Sequence, residues 1–509
     1  MNTNYPNSEK NTRQERYSRT FIHETISVFS QYQGSERSFA ELHDIPYPTL
    51  QYWSSRISDG DPTALFFESA AGLECLHRIV LAVRFLITLF CGGGVRVLSL
   101  FLRLSQLDRY VAASTGSQYQ AQAEMEQAIG SFEDEQKPEL IKDMKPKDIS
   151  LAEDETFHPQ TCLVGMEPVS NFIILEKYVE KRDTATWNDE LSKALDGLPV
   201  RVLQSTSDEG RALLSHVKDG LGVHHAPDLF HVQHELQKAT SYPLHSQLRR
   251  KKEAFEQGKA TEEEVKEAES RVEQAKEAIR GISNGYHLVN PETGKLQGSD
   301  TVETTLSEHF QSIETIAVEA GLGEKSEKRI AKARRVVPKM KETIAFVYQL
   351  IVNRVFALQL PDSVVQAIFQ HLVPGMYLQK LAKQAGEAER RNELREQANE
   401  RLANWERDGP ADRQELEEMA KEWVMLFVRT SSTVEGRNSH LRQRHRSLHR
   451  LSARTLRALT VVHNYFIQRE DGTTAAERFF GQKHEDLFEY LVNNVEVPRR
   501  PAQKRISTV

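Results

Sequence analysis

KDISLAED (147–154), TCLVGMEP (161–168), NFIILEKYVEKRD (171–183), ATWNDELSKALDGL (185–198) and PVRVLQSTSDEG (199–210) follow one another in the middle of the chain. In the first, Ile149 and Leu151 alternate with polar residues, the period of a half-buried strand. The second and third read the same way and are joined by a turn at Pro168. In the fourth, Trp187, Leu191 and Leu195 recur every four residues, which predicts an amphipathic helix. The fifth returns to a strand, and EGRALLSHVKDGL (209–221) is helical again. The order is β-β-β-α-β-α, and the first and last strands each end in acid, at Asp154 and Asp208.

In a core of that order the first and fourth strands are neighbours, so the two carboxylates converge at one sheet edge. Hard oxygen donors gathered this way suit Mg²⁺ or Mn²⁺ rather than zinc. Two such ions, ~3.5–4 Å apart, activate an attacking oxygen and stabilise a leaving one in phosphodiester displacement. A third acid is then required, and Glu435 in SSTVEGRNSHLRQRHRSLHRL (431–451) is the one on a predicted helix returning to the core. The structural alternative is that Glu435 pairs with a nearby arginine and caps its helix. Glu153, Glu155 and Glu209 adjoin the other two acids and are alternative ligands; the end of the alternation selects Asp154.

From Arg437 to Arg457 there are seven arginines (437, 442, 444, 446, 450, 454 and 457) and no acid, although the whole chain carries a formal net charge of −7. Local patches, not net charge, govern contact with a polyanion, because salt screens beyond about 10 Å. Arg437, Asn438, Arg442, Arg444 and Arg446 are therefore expected to contact phosphates.

Outward from the core, residues 11–118 are helical in period, with Phe21, Ile22, Ile26 and Phe29 on one face. Within them ERSFAELHDIPYPTLQYWSSRI (36–57) has helix-turn-helix punctuation around Asp44, Ile45 and Pro46. Ala40, Ile45, Leu50 and Trp53 would pack its helices together, leaving Tyr47, Thr49, Gln51 and Arg56 to face a major groove. The ordinary alternative is a helical hairpin. Six acids against one lysine in 121–140, with Pro138 and Pro146, read as a solvated linker. Beyond residue 236 the strand signal fades. Val265, Ala268, Val272, Ala275 and Ile279 form a coiled-coil seam, and a second long helical pattern runs from Tyr377 to Trp405 before breaking at DGPAD (408–412).

The expected organisation is a mixed, mostly α-helical multidomain chain. It comprises a helix-turn-helix region (1–60), a helical domain (61–120), an acidic linker (121–146), the first part of an RNase H-like α/β core (147–236), an all-helical insertion with coiled-coil segments (237–430), the C-terminal helices of the core (431–490) and a basic tail (491–509). With 39% hydrophobic and 27% charged residues, most of the chain is expected to fold. Three separated cysteines and no apolar leader suit a reducing cytoplasm. The apolar run 79–102 is interrupted by Arg84 and Arg96, so a membrane span is not expected.

Asp154 in DETFHP, Asp208 in SDEG and Glu435 in SSTVEGRNSHLRQRH, in that order, resemble the DDE transposases of bacterial insertion sequences, in particular those with a helical insertion between the second Asp and the Glu. HAPDLFHVQHEL (225–236) supplies the Asp-x-x-His of that group as Asp228 and His231. The resemblance implies hydrolysis of a phosphodiester at each element end, then attack by the freed 3′-OH on target DNA. It also implies two Mg²⁺ or Mn²⁺ ions on Asp154, Asp208 and Glu435, an ordering or strand-contacting role for His231, double-stranded DNA as partner, a homo-oligomer such as a dimer on that DNA, and a prokaryotic, nucleoid-associated cytoplasmic setting. Two other functions stay open: an inactive transposase-derived DNA-binding regulator, and a coiled-coil assembly protein, which leaves the three acids unexplained. A zinc site at His224, His225, Asp228, His231 and His234 is a further alternative, resting on the spacing of His231 and His234.

Overall fold

The computed structural model describes residues 17, 19–57, 66–67, 69–158, 160–448 and 451–501. Among the described residues the chain is mostly helical and carries one mixed five-stranded sheet, the mixed, mostly α-helical class expected, with one strand more than the patterning predicts. The described residues divide into two compact units. One is drawn from Met1–Lys142, Gln443–Glu477 and Gln482–Val509, the other from Asp143–Arg442 and Arg478–Gly481.

In the first unit, α1 (Arg19–Ser30), α2 (Glu36–Leu42) and α3 (Tyr47–Ile57) form a small helical cluster. Asp44, at φ +53°, makes the turn, and Phe39, Ala40, Ile45, Leu50 and Trp53 form the core, an arrangement common to a helix-turn-helix and an ordinary helical hairpin. Gln51 is exposed and donates to the Tyr47 hydroxyl at 2.7 Å, Thr49 is half-buried, and the Arg56 side chain lies outside the described residues. After α4 (Ala70–Phe85), Gly92 at φ +63° breaks the apolar run before α5 (Val95–Leu104). No helix among the described residues is long and apolar enough to cross a membrane.

Residues 121–142 are not a linker: they belong to α6 (Thr115–Lys142). Met125, Ile129 and Phe132, spaced i, i+4 and i+7, are fully buried, a stripe that the surrounding acids mask in the sequence. The acids themselves find cations, Glu126 meeting Arg454 at 2.9 Å and Asp134 meeting Arg457 at 2.5 Å. This also corrects the assignment of 431–490 to the core, because most of the chain after Gln443 packs within the first unit.

In the second unit, β1 (Lys147–Phe157), β2 (Thr161–Glu167), β3 (Phe172–Val179), β4 (Val200–Ser207) and β5 (His224–Pro227) take the order β3-β2-β1-β4-β5. β1–β2 and β2–β3 are antiparallel; β1–β4 and β4–β5 are parallel. The crossover helix α7 (Thr184–Leu195), capped by Asp183, buries Trp187 and Leu191 against Ile149, Leu151 and Leu163. α8 (Arg211–Ser215) follows β4, and α9 (Leu229–Leu236) follows β5. The four-residue β5 escapes the sequence reading because a short His-His-Ala-Pro run shows no alternation.

The insertion is entirely helical but for one isolated bridge between Val289 and Leu296. It contains α10 (Tyr242–Glu256), α11 (Glu262–Gly285), α12 (Ser299–Glu319), α13 (Glu324–Arg334), α14 (Val337–Ala357), α15 (Asp362–Ala367), α16 (Val373–Gln384), α17 (Ala388–Asp408) and α18 (Gln414–Met425). The expected seam is the buried or half-buried side of α11. The expected single helix from Tyr377 to Trp405 is instead two, α16 and α17, parted around Gly386, with Gly375 letting Leu402 approach closely. One apolar core joins α9 to the insertion through Leu229, Val232 and Leu236. Cations close helix ends inside it. Lys380 donates to the carbonyls of Val424 and Phe427, and Arg429 to those of Ser283 and Tyr286, where helix dipoles favour positive charge.

Candidate active site

The register of the parallel pair brings the first two acids together. Ala152 of β1 lies opposite Thr206 of β4. Two residues further, on the same side of each strand, stand Asp154 and Asp208. Asp154 is 8% exposed. Asp208 leaves the strand as β4 ends, and its Oδ1 accepts from the Gly210 amide at 2.9 Å.

The neighbouring acids are committed elsewhere. Glu153 points to the other face and takes Ser205 and His216; Glu155 accepts from the Trp187 indole at 3.0 Å and meets Arg182 at 3.3 Å; Glu209 pairs with Lys339. Strand alternation turns Glu153 and Glu155 to the face of β1 opposite Asp154.

Glu435 arrives by a clasp. Asp228 caps α9, accepting from the Phe230 amide at 2.9 Å. The same carboxylate accepts from the Ser431 amide at 3.0 Å and the Ser431 hydroxyl at 2.5 Å, while the Leu229 amide donates to the Arg429 carbonyl at 3.0 Å. Those bonds tie the start of the insertion to its end, and α19 (Ser432–Leu448) begins at once, with Glu435 in its first turn. Asp228 also accepts from His231 Nδ1 at 2.6 Å, leaving His231 Nε2 at 3.8 Å from Glu435 Oε1. Burial works to raise the Asp228 carboxyl, but the His231 and Ser431 donors outweigh it and hold it below the usual carboxylate range. The Asp228 bond, aided by the charges of Asp228, Asp154 and Asp208 and opposed by burial, lifts the His231 imidazole to about 9.

Burial, then the charges of Glu435 and Asp208, push the Asp154 carboxyl up to about 7. Asp154 thus feels both other carboxylates, with His231 as an opposing cation. Asn438, three residues after Glu435 and so on the same side of α19, is fully buried and donates its Nδ2 to Asp154 Oδ2 at 2.7 Å. Its Oδ1 is buried with no hydrogen-bond partner among the described residues. In kind, these oxygens fit a hard divalent cation. They are not closed around one point: among the described residues no three His, Cys, Asp or Glu side chains stand close enough to hold an ion together.

Several expected phosphate contacts are internal instead. Arg437 forms a two-pronged pair with Glu176 of β3 at 2.8 and 2.6 Å, the two side chains 5% and 0% exposed. Asn438 serves Asp154. Arg444 is buried and donates to the Thr88 carbonyl at 2.8 Å. Arg442 and Arg446 are exposed, and Arg450 lies outside the described residues. Spacing along a helix shows which residues share a face but not whether that face is inside. The histidines proposed as a zinc cluster are likewise dispersed. His224 bonds Thr343 at 2.9 Å, His225 bonds Ser207 at 3.1 Å, and His234 lies against the Phe230 ring.

Residues 368–507 match DUF6399, described as a family of unknown function. No curated protein and no solved structure matches the chain.

Proposed function

We propose that this chain is a DNA transposase that binds the ends of an insertion sequence and carries out metal-dependent phosphodiester hydrolysis and strand transfer. The observation that carries the reading is that Asp154, Asp208, Glu435 and His231, from four separate stretches of sequence, approach one another beside the switch between the antiparallel and parallel halves of the sheet, with His231 Nε2 3.8 Å from Glu435 and Asn438 of the same helix bonded to Asp154. Asp154, Asp208 and Glu435 would hold Mg²⁺ or Mn²⁺, which when bound supplies activation of the attacking oxygen and stabilisation of the leaving one. Asp228 and Ser431 orient His231, whose Nε2 faces the carboxylates and is placed to order the site or meet the scissile strand. Asn438 keeps Asp154 in its rotamer, a supporting bond of the kind that tunes metal ligands. Arg442 and Arg446 are the arginines of α19 available to phosphates. Tyr47, Thr49, Gln51 and Arg56 would read the element ends, with the protein acting as an oligomer on double-stranded DNA in a prokaryotic cytoplasm.

The test is strand nicking of end-containing duplex DNA by the purified chain. Nicks are expected with Mg²⁺ or Mn²⁺ and none in EDTA; nicking that persists in EDTA, or binding without any cleavage, would sink the reading. Asn438→Ala is expected to weaken Mn²⁺ binding by about 10–100-fold, as loss of an outer-shell partner does. Titration of Mn²⁺ followed by its paramagnetic signal measures this, and affinity equal to the parent's would remove Asn438 from the site.

A further inference from the structure

Helix α13 differs in charge from the chain around it. Residues 324–335 (EKSEKRIAKARR) hold six cations against two acids, in a protein of net charge −7. Ser326, Ile330 and Ala333 are buried, the last two in the core shared with α9. The two cations beside that face are paired inward, Arg329 to Glu235 of α9 at 2.8 Å and Arg334 to Glu314 of α12 at 2.5 Å. Lys325, Lys328, Lys332 and Arg335 are exposed. At 100° per residue they fall within a sector of about 80°, which contains no acid.

Lys328 meets the exposed Glu324 at 2.5 Å, a surface pair that contributes little and is readily exchanged. Among the described residues no carboxylate pairs with Lys325, Lys332 or Arg335. The four cations follow one another at steps of three, four and three residues and so cover about 15 Å at 1.5 Å per residue. One strand of a duplex advances 3.4 Å of axis per phosphate, so this stripe is as long as about four phosphate steps and can lie along a stretch of backbone. α13 is also tied, through the Arg329–Glu235 pair and a common core, to the helix that carries His231.

We propose that the outward face of α13 is a phosphate-backbone contact for duplex DNA, engaging it beyond the carboxylate site. This rests on the transposase reading for its partner. It assigns to the insertion a docking role that no base-reading residue is needed to fill, because a row of three lysines and one arginine contacting phosphates recognises charge and spacing, not sequence.

The experiment uses the full chain in EDTA, with a short fluorescent duplex followed by anisotropy across a range of salt. Replacing Lys325, Lys328, Lys332 and Arg335 together by Ala is expected to lower affinity by about 10-fold or more near 0.1 M salt. The slope of log affinity against log salt should become shallower by about 3–4, at ~0.9 per lost phosphate contact. Replacing the three lysines by Arg should keep the parent's slope. If the parent binds duplex and the alanine variant binds it with the same affinity and slope, the face is ordinary solvated surface and the inference falls alone. A parent that binds no duplex at low salt overturns the transposase reading as well. If the four residues prove to govern binding to an RNA hairpin or to anionic vesicles but not to duplex, the assignment to DNA is overturned.

Discussion

Asp154→Asn is expected to abolish strand cleavage, keep duplex binding and raise the melting temperature at neutral pH. On the proposed reading, the catalytic loss follows from removing one charged metal ligand. Cation stabilisation of a transferring phosphoryl group contributes several kcal/mol, so a loss of about 10³-fold is expected. The gain in stability follows from the raised carboxyl. An aspartate that titrates near 3.8 unfolded and at about 7 folded binds more protons in the folded state between those values. Stability therefore falls as pH rises through that window, by on the order of 4 kcal/mol at the limit. Asn carries no such cost and still offers an oxygen to the Asn438 amide. The variant should be more stable than the parent at pH 7.5, by roughly 1–4 kcal/mol, with the difference vanishing near pH 4. Thermal unfolding at the two pH values, beside gel assays of nicking and binding, measures all three effects. A variant that cleaves normally would remove Asp154 from the chemistry. One that is less stable and binds no DNA would mark it as a structural residue.

Such a trade between stability and activity is what a site of converging like charges entails. Four strands of the sheet were legible from sequence and β5 was not, while the site was legible only in part. Alternation at Ile149 and Leu151, and the four-residue spacing of Trp187, Leu191 and Leu195, report burial directly, and burial decides strand order once β1 and β4 are parallel. Asp154 and Asp208 could be placed because strand ends meet at known edges. The role of Asp228 was legible only as a spacing to His231; that its carboxylate also clasps Ser431 depends on contacts 203 residues apart. Asn438 looked like one more polar residue in a basic helix, although its i+3 relation to Glu435 puts it on the same face. The run 121–142 misled because charge density hid a narrow stripe of Met125, Ile129 and Phe132, and composition is blind to such a stripe.

The same blindness governs the arginines of α19, and Arg437 gives the sharpest test of it. Arg437→Met leaves the Glu176 carboxylate buried without its two-pronged partner, and losing one member of a buried pair costs about 3–5 kcal/mol. A urea titration should show the midpoint fall accordingly. Changing both residues, Arg437→Met with Glu176→Met, should recover most of the loss, because an apolar pair of similar volume carries no desolvation cost. Val434 and Leu441, both fully buried on the same helix, supply apolar neighbours for it. Folded protein carrying the double change should bind duplex with the parent's salt slope, since Arg437 is spent on Glu176. Arg442→Ala should do the reverse, leaving the midpoint within about 0.5 kcal/mol of the parent while making the slope shallower by about one. If instead Arg437→Met keeps the midpoint and flattens the slope, the Arg437–Glu176 pair is not what holds α19 against β3, and the arginine belongs with the phosphate ligands after all.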